Sequence, residues 1–187
     1  QTPVRGVDGD NPEPGIKENM KYLLETIDKA QTVGGKCDLI CFHEFPIHGF
    51  APWNLDQYLK VSRHEGGPEF KAIGEKAKKY NCYISLGCQM LHDGWDGHTV
   101  NTQVLIAPTG KIIAKHWKQR NMRGLFPGIE QFTTTIYDVY DRYVEMYGLD
   151  QVIPVEKTDI GNISLSSVQF EPELFRCMAL KGAELIL

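Results

Sequence analysis

Five thiols are the strongest nucleophiles this chain could offer: Cys37, Cys41, Cys82, Cys88 and Cys177. A thiolate attacks carbonyl carbon and binds soft metals. The count is odd, the spacings form no paired framework, and no two cysteines make a Cys-x-x-Cys unit. Reduced thiols in a cytoplasmic compartment are the simpler expectation, most of them small apolar core residues. Cys177 falls about six residues, or roughly 9 Å, into an expected helix, where a buried helical position is the plain reading. A second candidate is the pair His43-Glu44, directly after the apolar run Asp38–Phe42. A carboxylate at a strand end can serve as a general base, or it can be an ordinary exposed charge. His43, Glu44 and His48 could also ligate a metal, as could His92, Asp93, Asp96 and His98. Neither group has a recognised ligand spacing, and the second sits in a hairpin turn, where Asp and Gly serve the backbone. No metal and no cofactor is expected. The basic run Lys111, Lys115, Lys118, Arg120 and Arg123 reads as a solvated face. Within it, His116-Trp117-Lys118 could stack on a base.

Local periodicity places these groups on alternating helices and strands, an α/β pattern. Residues 1–15 are turn-rich. Ile16, Met20, Leu23, Leu24, Ile27 and Ala30 recur at helical spacing, and Gly34-Gly35 end the run. Asp38–Phe42 is a short buried strand leading to Glu44. Residues 54–61 form a short helix, and Gly67-Pro68 open another whose apolar face is Phe70, Ile73, Ala77 and Tyr80. Strands over Cys82–Met90, Thr99–Ala107 and Lys111–Trp117 form a meander, with turns at Asp93–His98 and Pro108-Thr109-Gly110. Residues 137–148 are helical and stop at Gly148. Gln151–Val155 reads as a strand, Gly161-Asn162 as a turn, and Ile163–Val168 as a strand. Glu171-Pro172-Glu173 opens a helix through Lys181 capped by Gly182, and Glu184–Leu187 begins a buried strand.

The bulk properties exclude several classes. The 187 residues suffice for one domain with a real core, and 42% hydrophobic with 24% charged residues is ordinary for a globular chain. A net charge of -4 argues against nucleic acid and anionic membrane. No apolar run is long enough to span a bilayer. Gly34-Gly35 and Gly66-Gly67 read as helix boundaries, not phosphate loops. The chain lacks an initiator Met and stops inside an apolar strand, so it is expected to be incomplete at both ends.

Three segments, in order, resemble the nitrilase superfamily of carbon–nitrogen hydrolases. The first is Asp38-Leu39-Ile40-Cys41-Phe42-His43-Glu44-Phe45-Pro46. The second runs from Asn101-Thr102-Gln103 through Pro108-Thr109-Gly110-Lys111 to Lys115-His116-Trp117-Lys118. The third is Asp159-Ile160-Gly161-Asn162-Ile163-Ser164-Leu165, then Pro172-Glu173 and Ala179-Leu180-Lys181-Gly182-Ala183-Glu184-Leu185-Ile186. Gln1-Thr2-Pro3 is similar to the end of the family's first strand. Phe126-Pro127-Gly128 and the polar insert after it look closest to the aliphatic amidase and formamidase branches.

The resemblance implies a four-layer α-β-β-α sandwich over residues 1–187, as one domain lacking its C-terminal part. It also implies homo-oligomers built through outer helices, and a small amide or nitrile as substrate, released as acid and ammonia. Cutting such a bond takes a nucleophile, a base that returns its proton to the leaving amine, and donors for the oxyanion. Carried over, Glu44 is the general acid/base and Lys118 the oxyanion stabiliser. The position expected to hold the nucleophilic Cys is Val168, which has no nucleophilic atom. Counting back from Pro172-Glu173 instead reaches Ser166, and Ser166 or Ser167 is a weaker alternative. Arg123 stands where amidase-type members carry a carboxylate, a charge reversal that Glu130 could offset. Three readings follow: a hydrolase of small amides or nitriles, a catalytically inactive homologue acting as a binding or assembly module, and, more weakly, a metal-assisted hydrolase through the histidines.

Overall fold

The computed structural model describes residues 4–121, 132–166 and 171–187. Its elements in chain order are α1 (Glu13–Thr32), β1 (Leu39–Cys41), α2 (Leu55–Val61), β2 (Arg63–His64), α3 (Pro68–Tyr80), β3 (Tyr83–Leu91), β4 (Val100–Ile106), β5 (Ile112–Trp117), α4 (Tyr140–Tyr147), β6 (Val155–Thr158), β7 (Gly161–Ser164), α5 (Pro172–Leu180) and β8 (Leu185–Ile186). Single 3-10 turns at Ile136–Asp138 and Leu149–Val152 flank α4.

The helices form where the periodicity puts them. Ile16, Met20, Leu23 and Ile27 are the buried stripe of α1, spaced to share one face. Pro68 opens α3, whose buried face includes Phe70, Ile73 and Ala77. That helix ends at Asn81, in the left-handed region at φ 49, a usual way to close a helix. A reciprocal capping box starts α2: the Gln57 N–H donates to Asn54 Oδ1, and the Asn54 N–H to Gln57 Oε1.

The large sheet has the order β1-β3-β4-β5, with β2 pairing the far end of β3. Strands β1 and β2 run parallel to β3, and β3-β4-β5 is the expected antiparallel meander. Side chains alternate between its two faces. Ile84, Leu86, Cys88, Met90, Val104 and Ile106 point outward into one core with α1 and α3. Tyr83, Leu105, Ala107 and Ala114 point inward and pack on Ile163 and Leu165 at β7. A second sheet, β6-β7-β8, is therefore stacked on the inner face. The parallel strands β7 and β8 are linked by α5, with Met178 buried beneath it. Helices, large sheet, small sheet and α5 make the four layers of an α-β-β-α sandwich.

Several local expectations are corrected. No strand begins at Gln151. A 3-10 turn occupies Leu149–Val152, and β6 starts only after Pro154, which lacks an N–H and restricts Ile153. Gly161-Asn162 is not the turn but the start of β7. The turn is Asp159-Ile160, held by Thr158 Oγ1, which accepts from the Ile160 N–H and donates to the Gly161 carbonyl. Strand β7 ends at Ser164, before the expected Val168. Strand β8 is not buried: Leu185 and Ile186 are each 38% exposed. Of the cysteines, only Cys82 and Cys88 are buried, while Cys41 and Cys177 are exposed. Among the described residues no helix is long and apolar enough to cross a membrane.

Candidate active site

Strand β1 delivers Glu44 to the inner face of the large sheet. Beyond its last residue the chain keeps running beside β3: the Phe42 N–H donates to the Ser85 carbonyl at 2.8 Å, and the Gly87 N–H to the His43 carbonyl at 3.3 Å. The Glu44 backbone then lies directly over Gly87, where a Cβ would come within 2.7 Å of the Glu44 Cα. A side chain at position 87 would have to push the Glu44 backbone away, so the glycine is what lets Glu44 lie on the strand. From the other side, His48 braces the segment. The Gln89 N–H donates to its Nε2 at 2.8 Å, so Nδ1 carries the proton and donates to the Gly49 carbonyl at 2.7 Å. Burial holds the His48 pKa down to about 4, so the ring stays neutral.

Lys118 arrives from the end of β5. Its N–H donates to the Asn101 carbonyl at 2.8 Å, and its own carbonyl accepts from the Ile136 N–H at 3.1 Å. These bonds turn the side chain onto the same inner face. Lys118 Nζ stands 3.6 Å from Glu44 Oε1, with 14% of the lysine side chain and 37% of the glutamate side chain exposed. The same Oε1 accepts a hydrogen bond from Asn101 Nδ2. Asn101 therefore touches both groups, one through its backbone and one through its side chain.

Around this pair the inner face is polar and buried. Ser85, Gln89, Asn101, Gln103 and His116 all lie there, each no more than 7% exposed. Gln103 donates to Ser85 Oγ at 3.0 Å. Burial lowers the His116 pKa to about 4, which keeps that ring neutral beside the lysine. The arrangement sets a carboxylate and an ammonium side by side, with buried amide side chains beneath. Clefts of about 390 Å3 between β5 and β6, and of about 310 Å3 beside Trp117 and Tyr147, contain neither Glu44 nor Lys118.

The other sequence candidates separate. His43 Nδ1 accepts the Phe45 N–H, and both ring nitrogens of His48 are committed. In the turn, His92 bonds Thr102, His98 bonds Thr134, and Asp93 pairs with His64. Among the described residues no three His, Cys, Asp or Glu side chains are grouped to hold a metal. The basic run is also divided, since Lys115 pairs with Glu65, Lys118 with Glu44, and Arg120 with Glu171. Ser166 follows β7, its N–H donating to the Leu187 carbonyl. Val168, Ser167, Arg123, Glu130 and Phe126-Pro127-Gly128 lie outside the described residues. Sequence reasoning missed Asn101, Gly87 and His48 as builders of the site. Asn101 opens a segment that marked the resemblance, and a glycine inside a strand is itself a signal of close backbone approach.

Comparison with known proteins gives one family. The sequence pattern described as "Carbon-nitrogen hydrolase" matches residues 10–187. The chain is 28% identical over 112 residues to "Nitrilase homolog 2" of Dictyostelium discoideum, which covers 59% of this chain and 31% of that protein. A cysteine-to-alanine mutant of a nitrilase-superfamily amidase from Nesterenkonia superposes with a TM-score of 0.68 at 17% identity, over 100% of this chain and 61% of the amidase. A double mutant of that amidase, in complex with acrylamide, gives the same values. This chain thus spans less than two thirds of either relative's length. The family pattern spans residues 10–187, so the chain belongs to the carbon–nitrogen hydrolase family, and the superposition shows the fold of nitrilase-superfamily amidases.

Proposed function

We propose that this chain carries the amide-recognising site of a carbon–nitrogen hydrolase acting on small carboxamides, with Glu44 and Lys118 in the two roles the family chemistry requires. The observation that supports this reading is the 3.6 Å approach of Lys118 Nζ to Glu44 Oε1 on one polar face. An amide carbonyl seated there meets the ammonium through its oxygen, and that charge stabilises the oxyanion formed on attack. Glu44 takes the proton of the attacking nucleophile. It returns that proton to nitrogen as the C–N bond breaks and ammonia leaves. The nucleophile position is Val168, which has no proton to give and no lone pair to attack with. The chain as written is thus expected to bind the amide far better than it turns it over.

Ammonia release from short amides, measured with and without a thiol-blocking reagent, tests the reading. The chain itself is expected to show no thiol-sensitive turnover, and a Val168→Cys variant to gain it. That gain should disappear in Glu44→Gln and Lys118→Ala versions. A folded Val168→Cys variant without turnover on any short amide would overturn the assignment. A second reading, a binding or assembly module, is favoured by Val168 together with Arg123. Amide binding by the chain, without turnover in any of these variants, would support it.

Two further properties belong to the same reading. The free thiols fit a reducing compartment such as the cytoplasm. Leu180 at 77% exposure, with Leu185 and Ile186, offers an apolar surface suited to a homo-oligomer.

A further inference from the structure

An open cleft lies on the opposite face of β5 from Glu44 and Lys118. Trp117 pairs with Thr102 across the sheet and points outward, into the cluster that holds Trp95, Ile136 and Tyr143. Helix α4 lies against it and presents Tyr143, Met146 and Tyr147, spaced to share one helix face. The cleft between helix and strand measures about 310 Å3, within the roughly 300–1,000 Å3 of small-ligand sites.

The walls of this cleft are rings. Trp117 stands 5.0 Å from Tyr143, 5.9 Å from Tyr147 and 4.6 Å from His92, centroid to centroid. The Trp95 Nε1–H donates to the Tyr147 hydroxyl at 2.9 Å, which holds that ring in place. Tyr147 and Met146 are 36% and 44% exposed, so the outer wall can be reached from solvent. The charge at the rim is already matched, since Lys115 Nζ stands 2.7 Å from Glu65 Oε2. These surroundings suit a flat, uncharged ring.

One wall group calls for a donor. Thr102 Oγ1 donates to the Val100 carbonyl at 3.3 Å, so it accepts from His92 Nε2 at 3.0 Å. His92 Nδ1 is then the acceptor nitrogen, and it takes no hydrogen bond among the described residues. The residue is only partly buried where it lines the cleft. Burial, and then the Lys115 ammonium, lower the His92 pKa to about 3, so the ring stays neutral and keeps that lone pair. We propose that this cleft binds an uncharged planar heteroaromatic ring bearing an N–H, which packs on the aromatic wall and donates to His92 Nδ1. The site is separate from the proposed amide site and does not rest on that reading.

Indole and benzofuran have the same shape and differ by N–H against O. Each would be titrated into the chain and followed by the NMR shifts of His92 and Tyr147. Indole is expected to bind about fivefold more tightly, the worth of one hydrogen bond. His92→Phe should bring that ratio near one and leave benzofuran affinity little changed. Met146→Trp, at an exposed position, should fill the cleft and abolish binding of both rings. Glu44→Gln should leave indole binding unchanged. Thermal unfolding of each variant checks that the fold survives. Equal affinity for the two rings, or a ratio unmoved in His92→Phe, would overturn the N–H recognition. No binding of either ring, or undiminished binding to folded Met146→Trp, would overturn the cleft as a site. Loss of indole binding in Glu44→Gln would place the ring at the other face of β5 and overturn it as well.

Discussion

The two faces of the large sheet are built from the same strands and do different work. Outward, Ile84, Leu86, Cys88, Met90, Val104 and Ile106 are all fully buried against the helices. Inward, the face changes character along its length. It is apolar at Tyr83, Leu105 and Ala114, where Ile163 and Leu165 cover it. It becomes polar at Ser85, Gln89, Asn101, Gln103 and His116, where Glu44 and Lys118 arrive. One face concentrates transfer free energy. The other gives that up for a floor of buried amides and an imidazole beside Glu44 and Lys118. Fold and site are thus segregated by the two-residue period of a strand.

Substitutions can test that division. The largest stability loss is expected from Leu86→Ala on the outer face, about 3–4 kcal/mol by denaturant unfolding, with propionamide binding retained in the folded fraction. If binding fell in proportion to stability, the two faces would not be independent.

Acid should act next, through the buried histidines. The His116 pKa is held down to about 4 in the fold, against about 6.5 in an unfolded chain. Below about pH 6.5 the unfolded state gains a proton that the folded state refuses, so stability falls with pH until about 4. The slope is roughly 1.4 kcal/mol per pH unit for each such group. His48, held to about 4, and His92, held to about 3, add to it by the same sign. Urea unfolding at pH 7 and pH 5 should show the loss, and His116→Phe should flatten it by one histidine's share. Cys88→Ala on the outer face should leave the slope alone.

Gly87→Ala should cost less, about 2 kcal/mol, because the displaced neighbour is the Glu44 backbone and not the packed core. Amide binding should nonetheless be lost, since Glu44 moves from Lys118. The smallest stability change belongs to Glu44→Gln. The residue is more than a third exposed in its side chain and its ion pair is partly solvated, so under about 1 kcal/mol is expected. Ligand affinity should still drop. A large stability loss here would mean that the pair supports the fold.

Much of this division was legible in the residues. Helices α1 and α3 and the β3-β4-β5 meander follow from apolar spacing and from Pro108-Thr109-Gly110. Glu44 and Lys118 were found by resemblance to a family, and their approach is a tertiary fact that no spacing encodes. The two-residue β2 has no period to detect. The β6-β7 hairpin was placed off register because Gly161 looks like a turn residue. It sits one position past the turn, at φ +121. Asn101 is hidden by its neighbours: an Asn in a strand of apolar residues reads as a solvent-facing polar position, and only the arrival of Glu44 from beyond β1 gives its side chain a partner. Cys177 does fall within α5, but its side of the helix is exposed and not buried as expected.

Glu44 depends on a position with no side chain at all. Gly87 is a notch in β3, and the notch fixes how far the carboxylate stands from the strand beneath it. Depth, in such a site, is set by an omission. Among chains of this architecture, whichever residue occupies that notch should act as a spacer that raises or lowers the acid over its floor, and so tune the width of ligand admitted without altering any group that touches it.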